Sequence, residues 1–185
     1  MRVHITNRQE AMSVRKRNAL ALGEWLMGKV AGLNRGMCWH DVSIVITDDT
    51  EIAQVNRRFL GRDDATDVIS FRYPRLPGDP APCHVRASPP NLGRRHPGSR
   101  PPDDALRGAC HDAEVIVNAS RAAREGPKHG GISREIALYV AHGCNHLLGE
   151  EDDTGKGRGR MRRRERRWLR EAGCEALLKG LIVEA

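Results

Sequence analysis

Nine of the thirteen residues from Ile136 to Leu148 are apolar and fall on every side of a helical projection, so a helix formed here has no face it can leave in water. Such a helix must be interior. Its polar side chains, His142, Asn145 and His146, lie at spacings of three and four along one stripe, where they must find partners or face a cleft. Two imidazoles at i and i+4 stand about one turn apart, close enough for both to bind one zinc ion at about 2.0–2.1 Å. After two leucines, Gly149 supplies the left-handed residue that ends the helix and reverses the chain, so that Asp152 returns toward the same point.

The spacing His-x3-His-x2-Gly-x2-Asp is that of a three-ligand zinc site of the metzincin kind, with His142, His146 and Asp152 as ligands and Asp153 as the rival for the third place. The residue after the first histidine is Gly143, so the general-base glutamate of HExxH peptidases is missing, and Glu150 and Glu151 lie beyond the helix. A metallopeptidase is therefore disfavoured.

Around this helix the pattern predicts a small sheet. Val3 to Thr6 suits an edge strand, and Met12 to about Val30 a helix with Val14, Leu22, Trp25 and Leu26 inward. Val42, Ile44 and Ile46 alternate with Ser43, Val45 and Thr47 as in a strand, and Asp48-Asp49-Thr50 then caps a helix carrying Ile52, Val55 and Phe59 that ends at Gly61. Val68–Phe71 and Glu114–Asn118 read as inner strands and Arg121–Glu125 as a short helix. Gly126–Gly131 reads as a linker, Ser133 as the cap of the helix reaching Leu148, and Met161 to about Ala172 as a last amphipathic helix with Met161, Trp168 and Leu169 inward.

Nine of the ten prolines fall between Pro74 and Pro102, interleaved with Gly, Ser and Arg. Little apolar side chain is available there to offset the entropy of ordering, so roughly 72–111 is expected to be a disordered insertion. At 185 residues the rest suits one domain. The five cysteines are widely spaced and form no CxxC pair, which predicts neither a thiolate knuckle nor a disulfide frame and suits a reducing compartment. No apolar stretch is long enough to span a membrane, and the N-terminus has no signal-like apolar region, so a cytoplasmic location is expected.

The net charge of +7 is concentrated in Lys156–Arg170, where nine Lys/Arg face the single acid Glu165 and the remainder of the chain is close to neutral. This pattern suits a localised contact with a polyanion.

The run His142-Gly-Cys-Asn-His146-Leu-Leu-Gly149-Glu-Glu-Asp152 resembles the HGxLHLxGYDH signature of the YbeY family of bacterial endoribonucleases. Val55 to Phe71 is similar to that family's LNxxYRxxDxPTDVLSF segment, and Ala113–Asn118 to its GDIVIS strand, in the same order. The resemblance implies a single-domain α+β fold over residues 1–185, with a small mixed sheet packed with helices. It also implies one Zn²⁺ ion and single-strand-specific cleavage of RNA in ribosomal RNA maturation, at the 3′ end of the small-subunit RNA, and in ribosome quality control. Ribosomal RNA precursors and the small subunit are the implied partners.

The chain departs from the family pattern at Asp152, where the third histidine falls, at Glu150 and Glu151, and at Leu60, where the family has an arginine suited to a scissile phosphate. Aspartate also binds zinc, and it lowers the site's net charge from +2 to +1. Arg58 or Arg62 is the candidate substitute for the arginine, and Arg160, Arg163, Arg164 and Arg167 join them as candidate RNA contacts. Thr66, Asp67 and Ser70 are expected to line the cleft. The alternative in which the metal is only structural makes the chain a non-catalytic ribosome-assembly factor, and Leu60 counts in its favour.

If the basic segment holds the RNA backbone, affinity for single-stranded RNA falls steeply between about 50 and about 200 mM salt. A nearly flat plot of log affinity against log salt in a filter-binding titration would exclude that segment as the main contact.

Overall fold

The β-branched run through Val42, Ile44 and Ile46 forms the middle of strand β3 (Cys38–Thr47) in the computed structural model, which describes residues 1–34, 36–75 and 110–183. Strands β1 (Arg2–Asn7) and β5 (Cys110–Asn118) flank it in parallel, and β4 (Val68–Pro74) joins β5 antiparallel, giving the order β1-β3-β5-β4. The sheet is mixed. Side chains alternate between its faces, so Ile44 and Ile46 meet Val115 and Val117 in the main core, whereas Val45, Ile69 and Ile116 form a second cluster with Ile52. Burial on both faces suits a sheet with a parallel centre.

Helix α1 (Lys16–Leu33) packs on the first face through Leu22, Leu26, Met27 and Val30, and α2 (Asp49–Leu60) packs on the second through Ile52 and Val55. As the sequence predicts, the Asp48 side chain accepts from the Glu51 N–H at the start of α2, and Gly61, at φ 69°, ends it. Helix α3 (Ala119–Glu125) follows β5, capped by Asn118. Helix α4 (Ile132–Leu147) is the interior helix, touching β4, β5, α1, α3 and α5 (Gly155–Cys174). Short strands β2 (Ser13–Val14) and β6 (Ile182–Val183) pair antiparallel and fasten the end of the described chain beside the start of α1. The architecture is α+β.

Several local expectations are corrected. The predicted helix from Met12 begins at Lys16, because Ser13 and Val14 are taken by β6. Gly126–Lys128 is a 3-10 turn where a linker was expected. Ser133 does not cap α4; its hydroxyl accepts from the Ile182 N–H, and Gly131 holds the cap position. The last helix starts six residues earlier than expected, at Gly155 behind a Thr154 cap. The expected insertion is shorter at its ends, since residues 72–74 and 110–111 belong to paired strands; 76–109 lie outside the described residues.

Cys38 and Cys110, expected to be unpaired, are joined by a disulfide across β3 and β5. They lie opposite one another in the sheet register, a proximity that a sequence separation of 72 does not reveal. Among the described residues no helix is long and apolar enough to cross a membrane.

Gly143 explains how α4 lies so close to the sheet. A Cβ at this position would sit 2.6 Å from Val115 Cγ1, 2.7 Å from Ser70 Oγ and 3.0 Å from Val68 Cγ2. Gly143→Ala should therefore push α4 off β4 and β5 and cost about 1–3 kcal/mol, read as a lowered urea midpoint. An unchanged midpoint would show that the helix is not held at this distance by the absent side chain.

Candidate metal centre

The C-terminal end of α4 turns as the sequence requires. Gly149 has φ 80°, its N–H donates to the His146 carbonyl, and the Glu150 N–H donates to that of Asn145, which together make a Schellman turn. This brings the following loop back over the two histidines. The ligand atoms of His142, His146 and Asp152 then lie within 4.8 Å of one another. Asp153 is not in that group; its carbonyl, with that of Asp152, accepts from Arg158 Nη1, which pins the loop.

Hydrogen bonds orient both imidazoles. His146 Nδ1 lies 3.0 Å from the Glu150 carbonyl, which can only accept, so the proton sits on Nδ1 and the Nε2 lone pair is free. His142 Nδ1 lies 2.8 Å from the buried carboxylate of Glu165, which selects the same tautomer. The two Nε2 atoms consequently face each other at 3.2 Å. Two facing lone pairs repel unless a cation or a shared proton lies between them. Two bonds of about 2.0–2.1 Å meeting at a tetrahedral angle would place the nitrogens about 3.3–3.4 Å apart, so the pair fits a zinc-sized ion. Asp152 Oδ2 is 3.9 Å from His142 Nε2 on a side chain that is 50% exposed, leaving it room to close on such an ion.

A chain of polar contacts supports this arrangement. Asn145 donates to Glu165 at 3.1 Å and accepts from Arg164 at 2.8 Å, and Arg164 also donates to the Glu150 carboxylate at 2.9 Å, where Arg160 joins it. Hydrogen bonds from Arg160 and then Arg164 hold the Glu150 carboxyl below its ordinary range against the opposing effect of burial. At His142 burial alone would favour the neutral ring, but the hydrogen bond and charge of Glu165, with Asp67 and Asp152 adding, raise its pKa overall. The site therefore draws in positive charge.

Two cavities open from His142. One, of about 560 Å³, runs past His146, Thr66, Asp67, Ser70 and Arg62; the other, of about 380 Å³, lies along α3, α4 and α5; His142, Asp67 and Asp152 border both. Thr66, Asp67 and Ser70 are where the sequence reading expects them. Leu60 is 54% exposed at the rim of the larger cleft, where Arg62 also stands. Arg58 borders a different cavity, with its guanidinium over the Phe59 ring. Of the other candidate RNA contacts, Arg160 and Arg164 are engaged with Glu150, Arg167 approaches Glu171 at 3.8 Å, and Arg163 is exposed.

Position 143 faces the sheet rather than the cleft, which gives the missing peptidase glutamate a structural reason. The sequence reading counts Glu165 only as the lone acid of the basic run and gives it no role, although its place three residues before the buried Trp168 is the signal that could have found it. It also overlooked a second group, His40, Asp41 and Asp112, whose ligand atoms are equally close together. There Arg2 pairs with Asp41 through two hydrogen bonds and Arg75 lies 3.6 Å from Asp112, so each acid already has a cationic neighbour.

The family model for Endoribonuclease YbeY matches residues 4–173. The chain belongs to the YbeY endoribonuclease family. Endoribonuclease YbeY of Desulforamulus reducens is 30% identical over 175 residues, covering 94% of this chain and 98% of that protein. The Moorella thermoacetica protein of the same name is 31% identical, covering 76% and 72%, and that of Geobacter sulfurreducens 29%, covering 89% of each. The solution structure of TM1509 from Thermotoga maritima superposes with a TM-score of 0.54 at 15% identity, over 97% of this chain and 94% of that one, and so shares the fold. Like other YbeY endoribonucleases, the chain is a hydrolase that cuts RNA at internal phosphodiester bonds.

Asn145→Ala would leave the buried Glu165 carboxylate without its amide donor and should cost about 1–3 kcal/mol in chemical denaturation. A wild-type midpoint in that variant would mean that the network is not under load.

Proposed function

We propose that this YbeY endoribonuclease is a zinc-dependent, single-strand-specific enzyme of ribosomal RNA maturation, acting in the cytoplasm as one domain over residues 1–185, with His142, His146 and Asp152 as its metal ligands. The observation that carries this reading is the pair of Nε2 atoms held 3.2 Å apart and facing each other, with each Nδ1 turned to its own acceptor, the Glu165 carboxylate or the Glu150 carbonyl. When bound, the ion would act as a Lewis acid on a phosphoryl oxygen of the RNA. The chain's own residues do the rest. Glu165 and Glu150 hold the imidazoles rigid, and Asp67, at the border of both cavities, meets the substrate beside the ligands. Arg62, at the cleft rim where Leu60 offers no charge, is the nearest equivalent of the family arginine for a substrate phosphate.

Metal analysis paired with cleavage of a single-stranded RNA tests this reading. Wild type should carry about one zinc per chain and His146→Ala almost none, Asp152→Asn should hold it more weakly, and Glu165→Gln should bind about 10- to 100-fold less tightly. Cleavage should fall in the same order. Unchanged zinc content in both His146→Ala and Asp152→Asn would remove the proposed centre.

A further inference from the structure

The smaller cavity beside His142 carries polar machinery that metal binding does not use. Glu135, in the first turn of α4, borders it at 3% exposure, an unusual place for a carboxylate unless it serves a partner. Its Oε2 lies 3.1 Å from His129 Nδ1, and Tyr139, one turn along α4, lines the same cavity. Burial, reinforced by the Glu135 charge, raises the Tyr139 pKa, so the phenol remains a donor. A carboxylate offers about four acceptor positions, and His129 Nδ1 takes one of them.

Three arginines share the lining of this space with the carboxylates of Asp67, Glu125, Glu135, Asp152 and Glu165. Arg121 comes from α3 and Arg158 and Arg162 from α5. Arg158 is spent on the carbonyls of Asp152 and Asp153, and Arg121 reaches the Ala65 carbonyl at 3.4 Å. Arg162 has no anionic partner among the described residues. The cavity thus combines a buried acceptor, one uncommitted arginine on a rim of mixed charge and an opening at His142 and Asp152, and its volume of about 380 Å³ suits a single nucleotide.

We infer that this cavity is a nucleotide subsite next to the scissile phosphate, in which a guanine base presents its edge to Glu135 and Arg162 holds its phosphate. Placing it beside the scissile bond rests on the metal centre proposed above; the base preference does not. Guanine alone among the four bases places two adjacent donors, N1–H and the N2 amino group, on its Watson–Crick edge, and these match the two oxygens of a carboxylate. Adenine and cytosine set an acceptor nitrogen beside their amino group, and uracil flanks its one donor with two carbonyls, so each would press lone pairs against Glu135. Extruded single-stranded bases are read on this edge.

The test titrates GMP, AMP, CMP and UMP into the full chain with zinc and, separately, without it, following amide shifts by NMR or heat by calorimetry. GMP should bind at least about 10-fold more tightly than the others in both states, a difference of about 1.4 kcal/mol. Glu135→Gln, which replaces one acceptor oxygen by a donor, should abolish that preference. Arg162→Ala, an exposed change compatible with folding, should weaken all four nucleotides together and keep their ranking. Equal affinities in wild type, or unchanged GMP affinity in Arg162→Ala, would overturn the subsite, as would a preference that survives Glu135→Gln. Mapping the cut sites in a random single-stranded RNA separates the two readings: guanine beside the cut supports the placement, and cuts without base bias overturn it. Loss of zinc binding with GMP selectivity retained would instead strike the metal centre alone.

Discussion

The hydrogen bond between His142 Nδ1 and the buried Glu165 carboxylate joins the two helices on which the site is built. It fixes the imidazole tautomer, so the Nε2 lone pair points into the cleft. It also sets the rotation of α5. With Glu165 turned inward beside Met161 and Trp168, Arg158 and Arg162 face the cavity, while Arg160 and Arg164 reach Glu150. One carboxylate thereby sorts the basic helix into structural arginines and arginines available to a ligand.

The interior position of α4 imposes a second division of labour. Gly143 lets the helix lie against Val68, Ser70 and Val115, so that side of the helix can carry no functional group. Only the stripe through His142, Asn145 and His146 remains, and Asn145 is consumed by Glu165 and Arg164. Most other polar groups therefore come from neighbouring segments, Thr66 and Asp67 from the turn before β4, Ser70 from β4 and Asp152 from the loop after Gly149, while α4 adds Glu135 from its first turn. The chemistry is assembled around the helix more than on it.

Where the sequence was legible, the signal was local. The all-round apolar character of Ile136–Leu148, the left-handed glycines at 61 and 149, the Asp48 cap and the alternation through Val42–Thr47 each follow from a few consecutive residues, and each is present in the fold. The long-range misses have a different cause from local ones such as the Thr154 cap of α5. The β2–β6 pair, the Cys38–Cys110 bridge and the bond from Ile182 to Ser133 join residues far apart in the chain, and no local propensity anticipates them.

Periodicity and turn chemistry are properties of short segments, so the sequence by itself determined an interior helix with two histidines on one stripe and a glycine-hinged acid behind them. Its motifs also determined the family. Which acid stands beside the histidines, which arginines are held by acids and which carboxylate lines the adjoining cavity were decided only by the tertiary structure. Each of those outcomes depends on how α5 and the loop before it rotate against α4, and that rotation is set by contacts between residues that are distant in sequence.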